Sequence, residues 1–124
     1  MAQNGETKIQ NAALLAVGQR PDVLAMRLQS GVFRAYDDPD KIVRIGQPGL
    51  PDTMMLVATQ ITPDMIGKTI AVAVAAEIKT AKGRQSEAQR NWQAAFEARG
   101  GVYRLVRSPD EMVALADEVQ RGDW

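Results

Sequence analysis

The residues of this chain that could do chemistry are concentrated in the tripeptide Glu77-Ile78-Lys79. Side chains alternate along a β-strand, so in a strand Glu77 and Lys79 point to the same face on either side of Ile78. They follow an apolar run, where an acid and a lysine are costly without a partner. A surface ion pair would satisfy both groups, and a metal ion would satisfy the carboxylate. The tripeptide alone leaves both interpretations open.

A second acid, Asp52, follows Leu50-Pro51 at the end of a loop rich in glycine and proline. If the strand that begins there pairs with the strand carrying Glu77, the two carboxylates come close together. With the carbonyl oxygen of Ile78 they would form an oxygen cage suited to Mg²⁺ or Mn²⁺. Asp52 is also an ordinary turn residue in this setting, and that alternative stays open.

The composition restricts the remaining chemistry. The 124 residues include no cysteine and no histidine. A thiolate nucleophile, a disulfide, an iron–sulfur cluster and an imidazole base are therefore excluded. An enzyme of this composition must use carboxylates, lysine, hydroxyls and a hard metal ion. The segment Lys82-Gly83-Arg84 is not a P-loop, and we expect no nucleotide cofactor.

Charge is unevenly distributed along the chain, although the formal net charge is zero. Residues 79–107 carry a balance of +5, and residues 108–124 carry a balance of −4. A basic stretch inside a neutral chain is compatible with phosphate binding. It is equally compatible with a normally solvated surface.

Several spaced motifs together resemble a known family. Pro51-Asp52 followed by Glu77-Ile78-Lys79 has the form of the PD-(D/E)xK nuclease signature. The fuller pattern is similar to that of the VRR-NUC domain nucleases, of the stand-alone virus type, and it covers residues 6–119. The matching segments, in the expected order, are 44–52, 77–80, 83–89 and 100–103. Gln85 departs from the pattern, because that position is usually apolar in the family.

The resemblance implies a metal-dependent nuclease site with Mg²⁺ or Mn²⁺ as the cofactor. It implies Asp52, Glu77 and the carbonyl oxygen of Ile78 as metal ligands. Glu6 matches an acid on the first helix of the family and would complete the ligand set. A solvated acid that interacts favourably with the helix dipole is the alternative for Glu6, and it stays open.

The resemblance also implies catalytic roles for a lysine and a glutamine. Lys79 would position or deprotonate the attacking water and stabilise the charge on the phosphorane. Gln89 would be a further catalytic residue beside it. Gln89 also fits a capping box with Ser86, and the two roles do not exclude each other. The family implies products with 5′-phosphate and 3′-hydroxyl ends.

We expect contacts to nucleic acid from basic and polar residues near this site, namely Lys82, Arg84, Arg44 and Gln10. Trp92 and Phe96 lie on the apolar stripe of a predicted helix, and we expect both in the core. Few aromatic residues are then left to stack on bases. Recognition is therefore expected to depend on backbone charge and the shape of the nucleic acid.

Hydrophobic periodicity and capping signals predict the elements that position these residues. The first is a helix over 4–17, in which the residues at helical spacing are Ile9, Ala12, Ala13, Ala16 and Val17. One or two strands follow within 22–36, then a strand over 53–59 and a helical turn over 62–67. A long strand over 68–80, apolar on both faces, is placed centrally in the sheet. Capping boxes at Ser86 and Ser108 begin two further helices, separated by a strand over 102–106.

This order predicts an α/β fold in which helices flank a mixed central sheet. It matches the α-β-β-β-α-β core of the restriction endonucleases, as the resemblance implies, with an extra C-terminal helix. The length favours a single domain spanning 1–124. The start of the chain lacks the features of a signal peptide, and its longest apolar stretch is too short for a bilayer, so we expect no membrane association and a cytoplasmic protein.

The leading hypothesis is a metal-dependent DNA endonuclease, structure-specific for branched or Holliday-junction DNA in replication, recombination or repair. A homodimer is expected, because one small domain offers limited surface for a branched substrate and junction-resolving relatives are symmetric dimers. A non-catalytic DNA-binding phage accessory protein that keeps the nuclease fold is one alternative. A restriction-type nuclease is the other, although no separate recognition region is visible.

Overall fold

The computed structural model describes residues 5–29 and 31–124. It has mixed α/β secondary structure, with short strands that pair in two-stranded sheets, so the predicted α/β class is confirmed. The chain divides into two compact units, Met1–Val57 and Ala58–Trp124. The single domain and the restriction-endonuclease-like core with a mixed central sheet stay predictions. Within the described ranges, no helix is long and apolar enough to cross a membrane.

The first unit consists of one helix followed by two antiparallel ladders. The helix is α1 (Gly5–Gly18), and the strands are β1 (Val23–Arg27), β2 (Gly31–Arg34), β3 (Ile42–Ile45) and β4 (Thr53–Val57). β1 pairs with β4, and β2 pairs with β3. The helix, predicted from residue 4, which lies outside the described residues, agrees with the sequence from Gly5 onward. The division of 22–36 into two strands and the strand that begins at residue 53 also agree with it. β3 has no predicted counterpart, because its short apolar segment lies between two turn-forming stretches.

The buried face of α1 differs from the predicted stripe. Ile9 is 71 % exposed, and Ala13 is exposed as well, whereas Gln10 and Asn11 are partly buried. Both of these polar side chains bond to other parts of the first unit. Val17 of the predicted stripe is partly buried, as is Leu14. The inward face of α1 therefore combines apolar side chains with two polar side chains that bond to the rest of the unit.

The second unit begins with a turn of 3-10 helix at Pro63–Met65 and continues as a β-α-β-α unit. Its elements are β5 (Val74–Ile78), α2 (Glu87–Glu97), β6 (Val102–Val106) and α3 (Pro109–Arg121). β5 and β6 are parallel, so a crossover is required between them, and α2 supplies it. The helical turn, both helices and the strand over 102–106 are confirmed.

The predicted long central strand over 68–80 is wrong. Only Val74–Ile78 forms a strand, and its ladder partner is β6. Val72, outside the strand, packs against the buried cluster of Val102, Val106 and Leu115. Within the apolar run before residue 74, Val72 therefore packs against the core of the second unit, whereas Ile70 is 58 % exposed, and the run does not lie between two strands.

The two helices of this unit cover opposite faces of the β5–β6 ladder. Leu115 of α3 belongs to the buried cluster with Val102 and Val106 on one face. Tyr103 points to the other face because side chains alternate along a strand, and its ring lies 6.1 Å from that of Trp92 in α2. The core of the second unit is therefore a thin layer on each side of two strands.

Local sequence signals define the ends of these helices. Ser86 Oγ accepts from the Gln89 N–H at 3.1 Å, and Gln89 Oε1 accepts from the Ser86 N–H at 2.9 Å, which completes the predicted capping box of α2. At α3, Ser108 Oγ accepts from the Glu111 N–H at 3.2 Å. The Glu111 carboxylate accepts from the Arg107 N–H at 2.6 Å, one residue earlier than a capping box requires.

The end of α2 depends on a close approach between Phe96 and Gly101. Phe96 is 3 % exposed, and the Gly101 N–H donates to its carbonyl oxygen at 3.1 Å. A Cβ atom at Gly101 would lie 2.5 Å from the ring of Phe96. Glycine is therefore required here for packing, since no side chain atom fits between the backbone and the ring.

Gly101→Ala is expected to lower the free energy of unfolding by about 1–3 kcal/mol, because the added methyl group overpacks the Phe96 ring. Urea denaturation followed by circular dichroism measures the change. The control is Gly18→Ala, where a Cβ meets nothing within 4 Å. That variant is expected to be neutral or to stabilise by up to about 1 kcal/mol. Equal stabilities of both variants and the parent protein would contradict the proposed contact.

Candidate functional site

The second unit holds an ion pair at the end of β5. Lys79 follows β5 directly, and its N–H donates to the carbonyl oxygen of Val106 at 3.1 Å, which extends the parallel ladder. Lys79 Nζ lies 3.4 Å from Glu77 Oε1, as their shared face of the strand predicts. The two side chains are only 20 % and 26 % exposed. Because solvent screens them less than surface charges, this pair differs from an ordinary surface ion pair.

Gln89 joins this pair to the start of α2. Its Nε2 donates to Glu77 Oε1, while its Oε1 accepts from the Ser86 N–H. One amide therefore completes the helix cap with its oxygen and contacts the carboxylate with its nitrogen. The capping role of Gln89 is confirmed, and the same amide also contacts Glu77, because an amide offers a donor and an acceptor at once. A catalytic role for Gln89 stays a prediction.

The turn after Lys79 is held by Arg107, a residue for which the sequence suggests no specific role. Arg107 donates from Nη1 to the Thr80 carbonyl oxygen and from Nη2 to the Gly83 carbonyl oxygen at 3.1 Å. The turn also packs on the lysine, since a Cβ at Gly83 would lie 3.3 Å from Lys79 Cβ. Arg107 therefore restricts the conformations of the segment that carries Lys79.

The register explains how Arg107 reaches this turn. Ile78 pairs with Val106 in the parallel ladder, so the residues that follow them, Lys79 and Arg107, leave the sheet side by side. The sequence shows a basic residue after each strand. Without the register, however, that pattern does not indicate which loop Arg107 contacts.

The basic residues expected to contact nucleic acid are all exposed. Lys82 lies in the turn held by Arg107, and Arg84 follows it shortly before α2. Arg44 belongs to the first unit, where it pairs with Val32 in the β2–β3 ladder. Their role in binding nucleic acid stays a prediction.

The first unit brings three predicted site residues to one cavity. Glu6, Gln10 and Asp52 line a cavity of about 560 Å³ between α1 and the start of β4. The carbonyl oxygen of Asp52 accepts from the Leu28 N–H at 2.9 Å and from Gln10 Nε2 at 3.5 Å. The backbone of Asp52 is therefore fixed, while its side chain is exposed.

A polar contact between α1 and β1 supports this arrangement. Arg27 Nη2 donates to Asn11 Oδ1, and Arg27 pairs with Thr53, the residue after Asp52. The ladder partner of β4 is thus β1, and not the strand of Glu77, which pairs with β6. The antiparallel ladder and the helix together position Asp52 within the first unit.

The donors available for a metal ion are oxygen atoms. Across residues 5–29 and 31–124, no group of three or more acidic side chains forms a metal cage. Mg²⁺ usually keeps several waters and takes only one or two protein carboxylates, so a closed cage is not required. Glu6 with Asp52 in the first unit, and Glu77 in the second, have the chemistry that suits such a hydrated cation. The Ile78 carbonyl oxygen is a further hard donor.

Comparisons of the chain with models of protein families, with curated proteins and with solved structures find no match. The interpretation of the site therefore depends on its own residues and contacts. The resemblance to the VRR-NUC nucleases stays a prediction from the motifs.

Arg107→Ala is expected to loosen the turn after Lys79, because two carbonyl oxygens lose their charged donor. Hydrogen exchange of the Gly83 amide, which donates to the Thr80 carbonyl oxygen at 3.0 Å, reports the change. Loss of about 1 kcal/mol corresponds to roughly 5-fold faster exchange. The matched control is Arg104→Ala, since Arg104 Nη1 donates to the carbonyl oxygen of its neighbour Tyr103. Equal exchange rates for Gly83 in the two variants would refute the role of Arg107.

Proposed function

We propose that this chain is a Mg²⁺- or Mn²⁺-dependent endonuclease that hydrolyses phosphodiester bonds in branched DNA. The observation that carries the proposal is the partly buried pair of Glu77 and Lys79, with Gln89 on the same carboxylate oxygen. A lysine held at the end of a strand, next to a carboxylate that is itself oriented by an amide, is a preorganised group. Such preorganisation is what hydrolysis of a phosphodiester requires.

Lys79 is the residue proposed to act on the reacting atoms. Its ammonium group would orient the attacking water and stabilise the negative charge that develops on the phosphorane oxygens. Glu77 and the turn held by Arg107 limit the positions that this ammonium group can occupy. A bound metal ion would polarise the scissile phosphate and lower the pKa of a coordinated water.

The carboxylates of Glu77, Asp52 and Glu6 are proposed as the metal ligands, together with the carbonyl oxygen of Ile78. Their oxygen atoms suit a hard divalent cation, and the chain has no imidazole or thiolate donor. The proposal includes a fold of the restriction-endonuclease type with a mixed central sheet, in the form of a stand-alone VRR-NUC domain. Two of the ligands, Glu77 and Asp52, are tested by substitution.

Binding of DNA is proposed to rest on the phosphate backbone. Lys82 and Arg84 are exposed in the segment that directly follows Lys79, so phosphates near the reacting bond would meet positive charge. Arg44 and Gln10 are proposed as contacts from the first unit. We also propose a homodimer, since two copies of a small domain match the two sides of a junction.

The test is cleavage of end-labelled duplex, flap and four-way junction DNA in the presence of Mg²⁺, Mn²⁺ or EDTA. Lys79→Ala, Glu77→Gln and Asp52→Asn are each expected to lower the rate of cleavage by at least about 100-fold, the contribution typical of a catalytic proton-transfer or charge-stabilising group. EDTA is expected to abolish cleavage. Circular dichroism confirms that each variant is folded.

Matched controls separate the site from general charge effects. Lys68→Ala and Glu97→Gln remove the same charges at exposed positions of the second unit and are expected to retain the parent rate. Cleavage that persists in EDTA, or in both Lys79→Ala and Asp52→Asn, would refute the mechanism. Binding without cleavage of any substrate would favour the accessory protein. Cutting at one duplex sequence only would favour a restriction-type nuclease.

A further inference from the structure

Trp92 differs from the two aromatic residues next to it. Phe96 and Tyr103 are 3 % and 5 % exposed, whereas Trp92 is 39 % exposed. The prediction that Phe96 lies in the core is confirmed, and the same prediction for Trp92 is wrong. The second unit therefore exposes an indole that the sequence pattern assigns to packing.

The indole is held in place by the buried rings behind it. Its ring centroid lies 4.8 Å from that of Phe96 with an angle of 20° between the planes, which is a stacked arrangement. Tyr103 lies at 6.1 Å with a tilt of 50°. Contacts between aromatic rings of this kind are stabilising, so Phe96 and Tyr103 favour this one position of the Trp92 ring.

Trp92 shares a cavity with two residues of the proposed site. Trp92, Gln89 and Glu77 line a cavity of about 280 Å³, and Tyr103 and Ala75 contribute to its wall. Gln89 and Trp92 are three residues apart on α2 and so project from one face of the helix. Ala75 lies two residues before Glu77, on the same face of β5, and its small side chain leaves the space open.

We infer that Trp92 is a stacking surface for an unpaired nucleobase next to the phosphate at Glu77 and Lys79. The inference rests on the proposed function and names its substrate class more narrowly. An indole stacks on any base without reading its sequence. A base inside a duplex has both faces covered by its neighbours, so only an unpaired base can reach the ring.

The substrate is therefore DNA with a single-stranded segment at the site, such as a flap or an opened junction. The exposed cations of Lys82 and Arg84 attract its backbone, and Trp92 selects a nucleotide whose base is free. Recognition consequently includes base stacking, in addition to the backbone charge and shape expected from the sequence.

Tryptophan fluorescence tests the inference without requiring cleavage. The chain has two tryptophans, so Trp124→Phe leaves Trp92 as the single reporter. This protein is titrated with a single-stranded oligothymidylate and with a blunt duplex of equal length, in EDTA so that no strand is cut. Strong quenching by the single strand and weak quenching by the duplex are expected. Equal quenching by both would overturn the inference.

Two variants test whether the contact contributes to binding. Trp92→Leu keeps an apolar side chain against Phe96 but removes the indole face, and it is expected to weaken single-strand binding by about 5- to 150-fold. Ala75→Leu fills the cavity and is expected to reduce quenching while Trp92 is still present. Trp124→Phe is the control, because Trp124 is also exposed and lies at the end of the chain. Unchanged affinity in Trp92→Leu, measured by anisotropy of the labelled strand, would overturn the inference.

The outcomes separate this inference from the proposed function. Quenching and affinity loss as described, without cleavage of any substrate, would support stacking and refute the nuclease. Cleavage with no change in Trp92 fluorescence would refute stacking alone. Failure to bind any oligonucleotide would refute both.

Discussion

The parallel ladder between β5 and β6 is the interaction on which the second unit depends, since both of its helices pack against these two strands. Its register places Ile78 beside Val106, and the two basic residues that follow therefore leave the sheet together. The Arg107 side chain then donates hydrogen bonds to the turn after Lys79. Backbone pairing thus determines where the lysine leaves the sheet, and the side chains of Arg107 and Glu77 restrict it there.

Stability and the proposed chemistry share residues in this unit. Gln89 completes the cap of α2 with its amide oxygen and contacts Glu77 with its amide nitrogen. A substitution there would therefore affect the helix and the carboxylate together. Asp52 of the first unit also combines a structural and a proposed chemical role. Its carbonyl oxygen accepts hydrogen bonds from the Leu28 N–H and from Gln10, while its side chain is exposed.

Local elements were predictable where the signal and its effect lie within a few residues. The capping box at Ser86 and the N-cap at Ser108 act on adjacent backbone groups, and both occur, although the Glu111 carboxylate accepts from the Arg107 N–H and so does not complete the predicted box at Ser108. The start of this strand at Val74, instead of residue 68, was not predictable, because Val72 is apolar for its packing against the cluster that contains Leu115 and does not belong to a ladder. A pattern of apolar residues indicates that their side chains are buried, and it does not identify the element that packs against them.

For the site, the sequence by itself determined the chemistry. A chain without histidine and cysteine has no imidazole and no thiolate, and the spacing of Glu77 and Lys79 places both on one face of a strand. Only the tertiary structure decided that this pair is partly buried, that Gln89 and Arg107 support it, and that Trp92 is open to solvent beside it. Residue types and local spacing are properties of the chain, whereas burial and long-range hydrogen bonds depend on which elements come together.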